Sequence, residues 1–186
     1  MGLFRKSDSE PLGVSMAGVK LGQRLLAVGT RDPKLVAALG VKAGLTGRTC
    51  VIDADATQLA KGAEEILKEG ALVEPIHAPY GMLPLDAESF DVAVIAYLLP
   101  SLNRDERTRC VMEVLRVLRP GGRAVVIDRA ERGGLGRILG GSRAAPTSAA
   151  SRYSGPVETL RENGFAVVRL LSETDGVSYV EGFKHA

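Results

Sequence analysis

Five short strand-like runs, separated by stretches with helical spacing, constrain this chain more than any other feature. They fall at residues 24–29, 49–52, 72–77, 90–96 and 124–127, and residues 90–96 are the clearest buried strand. Between them lie helix signals. Asp32 is placed to cap a helix that takes Pro33 at its first position, with Leu35, Val36, Leu39 and Ala43 on one face until Gly44 and Gly47. Leu59, Ala63, Ile66 and Leu67 mark a second helix that Gly70 closes. Asn103, with Glu106 three residues on, starts a third with capping-box spacing. Val111, Val114, Leu115 and Leu118 keep that helix apolar on one face, and Pro120-Gly121-Gly122 is read as its stop. Apolar strands alternating with amphipathic helices imply a parallel sheet covered on both faces.

The end of the chain departs from that pattern. Residues 129–152 hold five arginines, five glycines and one proline with little periodicity, and residues 129–154 read as a flexible loop or lid. A helix over 155–163, a strand over 165–171, an Asp175-Gly176 turn and a strand over 177–183 follow, so the parallel sheet ends in an antiparallel hairpin. Residues 1–22 are a polar lead-in with an apolar patch at Val14, Met16, Ala17 and Val19, and residues 23–186 form one domain.

Composition narrows the function classes. Lys plus Arg total 24 against 22 Asp plus Glu, and a net charge of +2 is too small to argue for nucleic acid. The arginines at 129, 132, 137 and 143 have no interleaved aromatics to stack on bases. They are either an anion-attracting lid or a solvated loop. Cys50 and Cys110 cannot form a disulfide framework and read as buried thiols of a reducing compartment. With only His77 and His185 beside them, no metal site is expected. No apolar run reaches membrane-spanning length, and the first residues lack a secretory or acylation pattern, so a cytoplasmic setting is expected.

In an open parallel α/β sheet, ligands bind beyond the carboxyl ends of the strands. Asp53 is the sharpest candidate there, because a carboxylate past the second strand can accept both ribose hydroxyls of an adenosine cofactor. The competing role is a helix cap, for which Asp55 is equally placed. Asp128 and Arg129 stand at the equivalent end of the fifth strand.

Three segments resemble the class I S-adenosylmethionine-dependent methyltransferases, of the type 11-like domain. Residues 22–29 look like the entry to the family's first motif, and residues 90–95 resemble its fourth-strand motif. Residues 113–123, with Pro120-Gly121-Gly122, are similar to its helix–Pro-Gly-Gly–strand motif and are the most specific match. The likeness covers about residues 17–130. It implies a Rossmann-like, doubly wound, seven-stranded, mostly parallel sheet with an antiparallel terminal hairpin. It also implies S-adenosylmethionine as cofactor and a small-molecule methyl acceptor. Membrane and nucleic-acid partners are not expected.

By the resemblance, the cofactor contacts are Gly29, Thr30, Asp53, Ala54, Ala78, Tyr80 and Ala96, and Tyr97 and His77 are the catalytic candidates. Tyr97 either faces the transferring methyl or packs under the lid, and His77 is either a pocket or a structural residue. Tyr80 either stacks on a base or is a buried loop aromatic. The chain also departs from the family. Ala27 stands where the first motif has an acid, and Arg31 and Pro33 replace its second and third glycines. Arg31 can pair with the methionine carboxylate, whereas Asp32 would repel it. Pro79 stands where the family has an adenine-binding Asp. Two lost charge-assisted hydrogen bonds at ~1.5–3 kcal/mol each weaken affinity by two to four orders of magnitude. The alternative is therefore a non-catalytic protein of the same fold, acting as a binding or regulatory module for a protein partner.

Overall fold

The computed structural model describes residues 11–129 and 153–186. The expected lid over 129–154 lies almost wholly outside them. A short helix α1 (Leu12–Ala17) leads into β1 (Arg24–Val28), α2 (Pro33–Ala43), β2 (Arg48–Asp53), α3 (Ala56–Lys68) and β3 (Glu74–His77). Then come β4 (Phe90–Ala96), a 3-10 turn (Leu99–Ser101), α4 (Arg104–Val117) and β5 (Leu118–Arg129). Helix α5 (Pro156–Glu162) precedes β6 (Ala166–Thr174) and β7 (Val177–Phe183). The strands form one seven-stranded sheet in the order β3-β2-β1-β4-β5-β7-β6. Strands β1 to β5 pair in parallel, and β7 runs antiparallel to both β5 and β6. This is the Rossmann-like doubly wound sheet with a terminal hairpin that the sequence implies.

Side chains cover both faces. One core gathers Leu26, Val28, Ile52, Ile95 and Val126 with Val111, Val114 and Leu160 of α4 and α5. On the other face Leu25, Val94 and Ile127 meet Val14 and Ala17 of α1 and Leu35 and Leu39 of α2. The apolar patch before residue 23 is thus spent on this core, with Val14 2% and Ala17 0% exposed.

The caps follow the sequence. Asp32 accepts from Leu35 N–H (3.0 Å) with Pro33 at the first helical position. Asn103 and Glu106 exchange both capping-box bonds, at 2.9 and 3.0 Å. Leu67 is 59% exposed, since it lies one helical step round from buried Ile66. Strand β3 starts at Glu74, not Leu72, and Pro75 is tolerated in it because the strand is an edge of the sheet.

The Pro-Gly-Gly segment differs from its reading as a helix stop before a strand. Helix α4 already ends at Val117, and β5 begins at Leu118, which pairs with Phe90. The next register pair is Val92 with Arg123, so residues 119–122 bulge out of the ladder. Gly121 sits at φ 72°, and a Cβ on Gly122 would come within 2.8 Å of the Arg119 carbonyl oxygen. Glycine is therefore required where the bulge folds back on itself.

Candidate functional site

The carboxyl ends of β1, β2 and β4 open into a cleft of about 580 Å³ lined by Thr30, Arg31, Asp53, Asp55, Tyr80 and Ser101, among others. That volume lies within the usual range for small-molecule sites, ~300–1,000 Å³. Asp53 closes β2 and is 6% exposed. Its competitor for the helix cap is settled by geometry: Asp55 caps α3, accepting from Thr57 N–H (2.8 Å) and Gln58 N–H (3.0 Å). Asp53 is thereby left to face the cleft.

Four donors meet on the Asp53 carboxylate. Thr30 gives its backbone N–H (3.0 Å) and its hydroxyl (2.7 Å) to Oδ2. Asp55 N–H (3.0 Å) and the Tyr80 hydroxyl (2.7 Å) go to Oδ1. Burial pushes the Asp53 carboxyl up, but these hydrogen bonds together outweigh it and hold the group below the ordinary carboxylate range. Burial, then the bond to Asp53, raise the Tyr80 phenol well above its usual value, so it stays protonated and donates.

Gly29, at φ 86°, turns the chain out of β1 and donates its N–H to the Ile52 carbonyl (2.7 Å). A Cβ there would meet Leu98 at an ordinary 3.6 Å, so the demand on Gly29 is one of backbone angle. Arg31 is exposed and reaches across the cleft, where its Nη2 donates to Ser101 Oγ (2.9 Å). Nothing in the spacing of residues 31 and 101 announces that contact. A neighbouring cleft of about 420 Å³ shares Ala54, Tyr80 and Leu102 with the first and continues along Pro79, Gly81 and Met82.

Thr30, Asp53, Ala54 and Tyr80 therefore converge. Ala78 is buried behind them and donates its N–H to the Asp53 carbonyl (3.2 Å). Ala96 is buried in the core on the α1–α2 face of the sheet. His77 is exposed and its Nε2 meets the Ala54 carbonyl oxygen (3.1 Å), outside the residues lining either cleft. Tyr97 sits apart from Asp53. It holds a left-handed backbone angle, φ 56°, unusual for a non-glycine residue, and donates its N–H to the Ile127 carbonyl (2.7 Å). Its side chain lines a separate pocket of about 240 Å³ with Leu12, Asp32, Leu35, Ile127 and Tyr179. Burial raises its phenol pKa too.

Asp128 is turned to the opposite face of the sheet. It is 1% exposed and accepts from the Tyr153 hydroxyl (2.9 Å), while the Arg107 guanidinium lies 4.4 Å from the Tyr153 ring centre. Burial pushes the Asp128 carboxyl up to about 6, against the Tyr153 bond and the charges of Arg107 and Arg31. Among the described residues, no group of three His, Cys, Asp or Glu side chains could hold a metal ion.

A family model described as a methyltransferase domain matches residues 26–126, more than half of the chain, from within β1 to within β5. The chain belongs to this methyltransferase family. It is 29% identical over 117 residues to a ubiquinone/menaquinone biosynthesis C-methyltransferase of Pseudomonas fluorescens, covering 62% of this chain and 45% of that protein. The same enzyme of Pseudomonas putida is 30% identical over 118 residues. The chain thus spans less than half the length of these relatives. Among solved structures, an S-adenosylmethionine-dependent methyltransferase of Aquifex aeolicus superposes with a TM-score of 0.72 at 20% identity, covering 91% of this chain and 86% of that one. The cyclase SpnF superposes with a TM-score of 0.70 at 21% identity, over 94% and 79%. These likenesses show the fold.

The Asp53 carboxylate thus faces the cleft from the end of β2, with Arg31 held across from it on Ser101 and the second cleft along Pro79 to Met82 beside them. Every lone pair of Asp53 already has a donor from within the chain.

Proposed function

We propose that the chain binds S-adenosylmethionine across these two clefts and transfers its methyl group to a small acceptor. The buried Asp53 carboxylate facing the cleft from the end of β2 supports this reading most directly. In it, Asp53 holds the ribose, Arg31 pairs with the methionine carboxylate, and Ala54 and the 78–82 loop border the base. Thr30 orients Asp53, and the turn at Gly29 gives room for backbone to approach the ligand.

The bound cofactor supplies an electrophilic methyl on a sulfonium, and transfer by direct displacement depends chiefly on positioning. Tyr97 is the residue we assign to the acceptor. Strand β1 pairs with β4 with Val28 opposite Ile95, so Tyr97 emerges beside the chain leaving β1 at Gly29 and Thr30. Its pocket is small and mostly apolar, which suits a compact apolar acceptor, and its protonated hydroxyl orients that acceptor as a hydrogen-bond donor. The relatives named as ubiquinone/menaquinone biosynthesis C-methyltransferases support a carbon acceptor by analogy alone. His77, held by the Ala54 carbonyl, is assigned a structural role. A cytoplasmic setting suits the two free, buried thiols.

A second reading, a binding module without catalysis, is favoured by Arg31, Pro33 and Pro79 at positions where the family has cofactor contacts. Calorimetric titration with S-adenosylhomocysteine separates the two. Micromolar binding that Asp53→Ala abolishes supports the transferase. No heat and no thermal shift up to millimolar ligand overturns it in favour of the module.

A further inference from the structure

An Asp carboxylate accepts about four hydrogen bonds, two at each oxygen. Asp53 already has that number from within the chain. A ribose therefore gains a bond to Asp53 only by removing a donor that is there now. The four differ in how easily they leave. The N–H groups of Thr30 and Asp55 are backbone, held by the turn out of β1 and the cap of α3. The Thr30 side chain is packed against α3 so closely that a Cβ on Gly62 would come within 2.7 Å of the Thr30 Cβ. Its hydroxyl is carried on that packed side chain in the turn out of β1, whose N–H binds the same oxygen.

Tyr80 is different. It is half-buried, and its loop is pinned elsewhere, through Leu83 N–H on the Glu113 carboxylate (2.8 Å) and Met82 N–H on the Pro79 carbonyl (3.1 Å). Rotation of the side chain alone vacates the position its hydroxyl holds on Oδ1, where the Asp55 N–H remains. The ring also lines both the 580 Å³ cleft and the 420 Å³ cleft, so it stands between the places assigned to ribose and base.

We infer that Tyr80 sets the affinity and the ribose selectivity of this cleft: its hydroxyl occupies the Asp53 position that a ribose hydroxyl needs, and the ligand binds by displacing it. This rests on the cofactor reading above. In the wild type, a ribose hydroxyl merely exchanges with a phenol, so little affinity depends on the ribose hydroxyls. Without the phenol, the same hydroxyl makes a bond where only water competes.

The test titrates S-adenosylhomocysteine and its 2′,3′-dideoxy analogue into the full chain and into Tyr80→Phe. The wild type is expected to bind the two ligands within about fivefold of each other. Tyr80→Phe is expected to bind S-adenosylhomocysteine about tenfold or more tighter than the wild type, with the dideoxy analogue unchanged. A structural role for Tyr80 moves both ligands together, and that result overturns the inference, as does equal or weaker binding of S-adenosylhomocysteine by the variant. Tyr80→Leu, which also removes the ring, gives the same ribose-selectivity readout if the Phe variant folds poorly. Failure of both wild type and variants to bind either ligand overturns the cofactor reading itself. Wild-type binding that depends strongly on the ribose hydroxyls overturns only the role of Tyr80.

Discussion

Asp53 and Asp128 stand at the carboxyl ends of two strands, yet their surroundings drive them in opposite directions. Both are buried, and burial alone raises a carboxyl pKa. Asp53 has four hydrogen-bond donors and is held low, whereas Asp128 accepts from the Tyr153 hydroxyl and is pushed up to about 6 by burial. A raised native pKa means that the folded chain holds a proton that the unfolded chain has released. Stability from Asp128 is therefore greatest below the unfolded value near 4 and is lost as pH rises to about 6, staying low above that. Asp128→Asn removes the ionisation while its amide oxygen still accepts from Tyr153. The variant should be more stable than the wild type at pH 7.5, by up to about 3 kcal/mol less the cost of burying the new amide N–H groups. The advantage should shrink towards pH 4, and denaturant unfolding at both pH values checks it. The sequence placed both aspartates at strand ends. Their partners Tyr80 and Tyr153 are 27 and 25 residues away, and no local pattern announces such contacts.

Elements were the most legible level. The Asn103–Glu106 spacing foretold the start of α4, because capping chemistry is local and the four residues that carry it are contiguous. Asn103→Ala leaves the Glu106 N–H without its acceptor and should cost about 1 kcal/mol, read as a lowered melting temperature with the fold intact by circular dichroism. The Pro-Gly-Gly segment was legible as a break and not as a bulge. Whether a break becomes a loop or an insertion in a strand depends on what lies alongside. Here Asp91 pairs with Arg119 (2.7 Å), and Gly121 and Gly122 exchange backbone bonds with Lys184. Those partners lie on β4 and beyond β7, so the bulge belongs to the assembled sheet. Leu72 was read into the third strand, which starts at Glu74, for a related reason: an apolar residue at the border of a pattern is buried only if a neighbouring element covers it.

At the scale of the whole molecule, the buried Glu181 joins regions far apart in the chain. On β7 it accepts from Arg123 of β5 (3.3 Å) and Arg169 of β6 (2.5 Å). The Arg123 guanidinium also donates to the carbonyls of Ala17 and Gly18, where α1 ends. The charge thus ties the terminal hairpin to the helix that leads into the domain. Arg123→Ala leaves the carboxylate partly uncompensated and frees α1, and should cost on the order of 3 kcal/mol in urea unfolding. Replacing Arg123 by Met and Glu181 by Leu together should cost less, since the buried charge then goes with its partner. By itself the sequence determined the alternation of strands and helices, their caps, the terminal hairpin, the family and the strand-end position of Asp53. These are set by local periodicity and by short motifs. Only the tertiary structure decided that Tyr80 and Thr30 fill the Asp53 carboxylate, that Arg31 spans the cleft to Ser101, and that Tyr97 faces a different pocket. Such contacts depend on which side chains the folded sheet brings within about 3 Å, a distance at which hydrogen bonds form and over which sequence separation has no say.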